Sequence, residues 1–239
     1  MVFRDCRGSV SEFGSLACLV IIRRPAPNRH DEIVPTPITS EDELRELIGE
    51  PADIVRAKVS DRVNDLTRRF IDLSPFMLLA TSAPDGSCDV SPRGDPAGFV
   101  HVVDERTLLI PDRPGNRLAD SLRNILQNHH VGLLFLVPGV GDTLRVNGRA
   151  TIITDAELLE PLAVERKTPK LGLLIEVDEV FTHCSKAFLR SRLWDPTEFV
   201  DRDELPSSGE IHRSLNPAFD AERYDEERAE RYTRREGFY

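Results

Sequence analysis

Phe76-Met77-Leu78-Leu79-Ala80-Thr81, then Pro84-Asp85-Gly86, then Cys88-Asp89-Val90-Ser91, is where the chain turns from helical to extended character. The apolar run is short and bounded by turn residues, so it reads as a buried strand. Pro-Asp-Gly reverses the chain tightly, and residues 88–91 return as the second strand of a hairpin. The same grammar repeats downstream. Residues 99–103 and 107–110 form a hairpin around Asp104-Glu105, and residues 131–136 are an apolar strand followed by a glycine-rich turn at 137–142. Residues 143–153 are a long strand in which Asn147-Gly148 marks a bulge or a bend, and residues 173–181 are a further strand. Connections this short imply antiparallel pairing and a closed or partly closed barrel. A doubly wound parallel sheet is disfavoured, because it needs crossover helices between most strands.

Helices flank and interrupt this sheet. Ser40 with Glu43 has the spacing of a capping box. Ile54, Val55, Val59, Val63, Leu66 and Phe70 repeat at helical spacing, so residues 54–71 read as one helix ended by Ser74-Pro75. Residues 118–127 read as an amphipathic helix with Leu118, Leu122, Ile125 and Leu126 on one face. Residues 155–164 read as a helix capped by Thr154 or Asp155. The chain turns polar at Asp195, and residues 220–236 are a solvated helix or an arm packed on a partner. The expected class is α+β, mainly antiparallel β with N-terminal helices and a charged C-terminal arm. The expected divisions are an N-terminal extension (1–38), a helical lead-in (39–73), a barrel domain (74–194) and the arm (195–239).

With 31 basic and 41 acidic residues, the 239-residue chain carries a formal charge of −10. That is a poor match to nucleic acid, whose binding depends on phosphate neutralisation. Cys6, Cys18, Cys88 and Cys184 have neither zinc nor disulfide-framework spacing and read as buried or free thiols. No segment approaches the ~20 apolar residues of a membrane span. The short apolar run at 16–22 lacks the flanks of a secretion signal, so a cytoplasmic protein is expected.

Two arginine-bearing segments are the chemical lead: Ser91-Pro92-Arg93-Gly94-Asp95-Pro96, and Pro111-Asp112-Arg113-Pro114-Gly115-Asn116-Arg117 directly before the helix at 118–127. A helix N-terminus offers unpaired N–H groups, and arginine adds a charged fork that matches phosphate oxygens. Arg93 reads as an anion ligand or as the partner of Asp89 or Asp95. Arg117 reads as a phosphate ligand or a solvated helix start, and Asn116 as a ligand contact, a helix cap or both. His129-His130 reads as a helix end and not a metal site. His183 and Cys184, adjacent in a strand, point to opposite faces and make no catalytic dyad.

The ordered motifs Ser74-Pro75-Phe76, Ala80-Thr81, Asp85-Gly86, Ser91-Pro92-Arg93-Gly94-Asp95, Pro111-Asp112-Arg113-Pro114-Gly115-Asn116, Asp120-Ser121-Leu122-Arg123-Asn124-Ile125 and Thr143-Leu144-Arg145-Val146-Asn147-Gly148 resemble the pyridoxamine-phosphate-oxidase-like family, and within it the FMN-dependent subgroup. The resemblance runs from about residue 40 to about residue 205. It implies a split β-barrel that binds FMN at a homodimer interface. On this mapping Ile110 and Pro111 fall on the strand lining the flavin ring, and Gly115, Asn116 and Arg117 fall on the phosphate turn. The serine and first basic residue usual there are absent, and Arg93 and Arg113 are candidates to supply the missing charge. Thr143 falls where the family often has a glutamine near the ring. The segment around Lys186, Arg190 and Trp194 resembles the subgroup as well. Its basic residues would stabilise reduced flavin, or are surface charges; the tryptophan would cover the ring, or belongs to the core.

The resemblance implies an FMN oxidoreductase acting with an unidentified small-molecule substrate and electron donor. The cofactor would carry the chemistry without an obligatory side-chain nucleophile. The alternatives are a flavin-binding protein without turnover, or a split barrel holding a deazaflavin or a haem-type cofactor, for which His101 or His183 would be the axial ligand.

Overall fold

The computed structural model describes residues 36–239. Cys6, Cys18 and the apolar run at 16–22 lie outside the described residues. The described residues fall in two units, one ending at Glu50 and the other Pro51–Tyr239. In the first, α1 (Glu41–Ile48) starts as its sequence indicates: the Ser40 side chain accepts from Glu43 N at 3.2 Å. The Glu43 carboxylate accepts from Thr39 N at 2.8 Å, one residue further out than a standard capping box.

In the second unit, the single helix expected over residues 54–71 is two helices, α2 (Asp53–Ala57) and α3 (Asp65–Leu73). The chain between them pairs with other elements. Ser60 and Val180 exchange main-chain hydrogen bonds of 3.0 and 2.7 Å, and Val63 N donates to Glu105 O at 2.7 Å. Asn64 then restarts the helix, its Oδ1 accepting from Leu66 N and Thr67 N. Val63 and Ile71 enter the core, whereas Ile54 and Leu66 stay exposed.

The sheet comprises β1 (Phe76–Ser82), β2 (Cys88–Gly94), β3 (His101–Asp104), β4 (Thr107–Pro111), β5 (His130–Leu136), β6 (Thr143–Ile153) and β7 (Gly172–His183), with α4 (Asp120–Gln127) between β4 and β5. Its order is β2-β1-β5-β6-β7-β4-β3, antiparallel throughout. The edges β2 and β3 are not bonded to each other, so the sheet is open, the split of a split barrel. Met77, Leu79, Leu133, Phe135, Leu144 and Val146 form the core from one face of adjacent strands, as the strand period of two requires.

α4 departs from the expected apolar face. Ile125 is buried and Leu122 packs beside it, but Leu118 and Leu126 are exposed. Polar contacts dock the helix instead: Ser121 Oγ donates to Asp89 at 2.6 Å and Asn124 Nδ2 to Thr81 Oγ1 at 3.0 Å. The helix expected at 155–164 is α5 (Ala156–Leu159) running into a 3₁₀ turn, Glu160–Leu162, and Asp155 makes no side-chain cap. After β7 come α6 (Lys186–Ser191), α7 (Ser208–Leu215) and α8 (Ala221–Thr233). The charged stretch is helical, and only Ala221 of α8 is buried.

Candidate functional site: the arginine cleft

β2 runs on through Arg93 to Gly94, beyond the strand expected at 88–91, so most of the first arginine segment is strand. Pro92 is tolerated there because β2 is an edge strand. The second segment follows β4 directly. The two lie against each other across the split and are tied reciprocally. Arg93 Nη1 pairs with Asp112 at 2.5 Å, and Arg113 Nε with Asp95 at 2.6 Å. Arg113 also donates to Leu162 O at 2.7 Å, and the Tyr239 hydroxyl donates to Asp95 at 2.7 Å. That hydrogen bond holds the Tyr239 hydroxyl above the usual phenol range.

These segments wall a cleft of about 1190 Å³, with Ser121 and residues 231–232 and 236–239 completing its rim. Cofactor pockets are of this order, roughly 300–1,000 Å³. Arg117, at the rim, is exposed and makes no ion pair among the described residues. Its φ of 66° and the 59° of Ala119 are left-handed conformations that non-glycine residues rarely adopt. Asn116 does not cap α4. Its Oδ1 accepts from Leu118 N at 3.0 Å, and the N-cap position is Ala119, which has no side chain to offer. Arg93 retains one unmet donor, its buried Nε, which has no hydrogen-bond partner.

Residues 63–184, just over half of the chain, match the family model described as pyridoxamine 5'-phosphate oxidase. The chain belongs to this family. Similar solved structures include a protein related to general stress protein 26, of the pyridoxinephosphate oxidase family, from Clostridium acetobutylicum (13% identity, 49% of this chain, 85% of that chain, TM-score 0.39). An FMN-binding protein from Syntrophomonas wolfei is 13% identical over 50% of this chain and 89% of that one, with TM-score 0.38. An F420 reductase is 20% identical over 51% of this chain and 98% of that one, also with TM-score 0.38. No curated protein matches the chain by sequence.

The structure sorts the residues that the family resemblance marks. Arg93, Pro111, Arg113, Asn116 and Arg117 line the cleft together. Ile110 is buried in the core beneath it. Thr143 is buried on β6 and paired in register with His183, outside the cleft lining. Lys186 and Arg190 are exposed on α6. Trp194 stacks on Phe188, ring centroids 5.8 Å apart, and donates Nε1 to Val140 O at 3.0 Å, anchoring the β5–β6 turn. None of these last four lines the cleft. Tyr239 and Arg231 do line it, and sequence reading missed them, because the charge run at 220–236 carries no mark of which end returns to the barrel. Among the described residues no group of His, Cys, Asp and Glu is placed to hold a metal, and no helix is long and apolar enough to cross a membrane.

His183 is half-buried. Desolvation, with Arg145 and Lys58 adding to it, holds its imidazole below the ordinary histidine range. The unfolded chain, at about 6.5, therefore takes up this proton at higher pH than the folded one. Folding stability is then full above about pH 6.5 and falls as pH drops from there towards the lower folded value. His183→Gln should remove that component. Urea midpoints measured from pH 7.5 to pH 5 should fall more for wild type than for the variant; equal falls would contradict it.

Proposed function

We propose that the chain is an FMN-dependent oxidoreductase that holds its cofactor at the arginine cleft, with a homodimeric partner completing the site. The observation that carries this reading is the convergence, across the split, of cofactor-sized space and the free Arg117 charge on a strained turn. Strained backbone of this kind gathers at ligand sites because the surrounding structure must over-determine it. When bound, FMN would supply hydride or electron transfer.

The chain's own residues do the rest. Arg117 offers a charge-assisted contact to the phosphate. Arg93 and Arg113 are already balanced by Asp112 and Asp95, so their work is to fix the two segments at a constant separation. Residues 236–239 border the opening and limit what reaches it.

Absorption of the purified protein, followed by heat release of any chromophore, tests the cofactor. Released FMN supports the reading, released deazaflavin or haem replaces it, and a colourless protein that takes up no FMN removes it. Reduction by NADH or NADPH followed by reoxidation tests turnover; a ring left oxidised by both points to flavin binding alone. Sedimentation of the loaded protein tests the dimer. Arg117→Ala should weaken FMN binding by about 1.5–3 kcal/mol, or roughly ten- to hundredfold in Kd. Fluorescence titration of FMN reads this directly, and an unchanged Kd would reject Arg117 as the phosphate ligand.

A further inference from the structure

We propose that Lys58, Arg145 and His183, grouped around the Phe181 ring where β6 and β7 meet, form a binding site for a small oxyanion of the phosphate class, separate from the arginine cleft. Arg145 and Phe181 are paired in register, as are Thr143 and His183, so all four lie on one face of the β6–β7 ladder. Lys58 reaches the same place from the end of α2 and donates Nζ to Thr182 O at 2.6 Å. Its ammonium lies 5.9 Å, and the Arg145 guanidinium 5.4 Å, from the Phe181 ring centroid. The His183 ring lies against the same ring at 5.3 Å. None of these residues lines the cleft.

What sets the group apart is its uncompensated charge. Neither Lys58 nor Arg145 makes an ion pair among the described residues, although the chain carries ten more acidic than basic groups. Glu179, on the same face of β7, is held by Asn147 Nδ2 at 2.9 Å and bridges to no cation. Another arginine of the same strand shows the contrast: Arg149 sits between Glu176 and Asp178, at 2.9 and 3.4 Å. In the cleft, likewise, Arg93 and Arg113 are each answered by an aspartate. Two cations brought to one aromatic ring repel each other, and the buried His183 Nε2 has no hydrogen-bond partner. A bound oxyanion offsets the repulsion and meets that nitrogen, given a proton on it. Arginine's planar fork and the lysine point charge suit a phosphate's several oxygens and double charge better than a single carboxylate.

The test follows the His183 imidazole resonances, assigned by their loss in His183→Gln, as inorganic phosphate is titrated into the full chain. The expected result is a saturable shift, with the His183 titration midpoint moving up because a dianion opposes Arg145 and Lys58. Sodium chloride of matched ionic strength should give no saturable shift. Arg145→Ala and Lys58→Gln should each weaken the phosphate response about tenfold or more, while Arg149→Ala leaves it unchanged. Acetate run in parallel separates the ligand classes: acetate binding as tightly as phosphate would overturn the phosphate assignment. Resonances indifferent to phosphate, or equal responses in wild type and Arg145→Ala, would overturn the site itself. FMN uptake is read by absorbance in the same samples, so the cleft and this site stand or fall separately.

Discussion

Arg113→Ala should be among the most destabilising single changes in the chain, costing about 3–5 kcal/mol, as expected when one member of a buried ion pair is removed. The Asp95 side chain is only 1% exposed and that of Arg113 15%, so the pair is largely shielded from water although both residues border the cleft. The alanine variant leaves Asp95 with the Tyr239 hydroxyl alone and strips Leu162 O of its donor. Leu162 belongs to the small cluster with Leu109 and Leu159 that packs under β4. The loss therefore spreads from the cleft into the support of the strand leading to it. Thermal unfolding should move down by roughly 6–20 °C. Asp95→Leu combined with Arg113→Met should recover much of the loss, since exchanging a whole buried pair for apolar groups is often neutral. If Arg113→Ala unfolds within about 1 kcal/mol of wild type, the pair is solvated and the two segments are held by something else. The recovered double variant has a further use. It restores the packing without the charges, so FMN affinity measured on it separates what the pair does for stability from what it does for the cleft.

The sheet was legible because its signals are local. Pro84-Asp85-Gly86 sits at the reversal between β1 and β2, and the long strand read over residues 143–153 matches β6 over its full length. What escaped notice depends on partners distant in sequence. Apolar spacing across residues 54–71 carries no sign that Ser60 bonds to Val180, 120 positions on, and that pairing divides the helix. The aspartates beside the arginines were visible at Asp95 and Asp112, but pairing across segments rather than within them is a property of the closed-up split. α4 was misread because Leu118 lies before the helix and Leu126 faces water, while Ser121 and Asn124 hold the helix down. Lys58, Arg145 and His183 meet only once α2, β6 and β7 are assembled, so no spacing could have announced them.

Gly148 carries the second large effect. Asn147 pairs with Glu179 while Gly148 pairs with Val177, so Asp178 is the extra residue of a bulge on β7. That residue turns outward to Arg149. The bulge draws the two backbones together at Gly148. A Cβ built there would lie well inside contact with the Glu176 carbonyl oxygen, 3.1 Å from its carbon and 3.2 Å from Ile175 Cγ2. Backbone cannot step aside as a side chain can, and Glu176 is fixed on its other side by pairing with Thr107 of β4. Gly148→Ala should therefore cost about 3 kcal/mol or more, at or beyond the upper end of ordinary overpacking. Ala150, also fully buried on β6, gives the comparison: Ala150→Gly adds no atom, and its cost should stay near the roughly 1 kcal/mol of added chain freedom and a lost methyl group. Urea denaturation of the two variants ranks them, and a Gly148→Ala midpoint at or above that of Ala150→Gly would show that the ladder can part at the bulge. Asp178 deletion is the complementary change. Removing the extra residue lets Val177 and Glu179 alternate regularly against Gly148 and Asn147, so Phe181 and His183 keep the face they share with Arg145. The His183 phosphate response should therefore persist in the deletion variant, and its loss in a variant that still folds would show that the bulge itself shapes the cationic cluster.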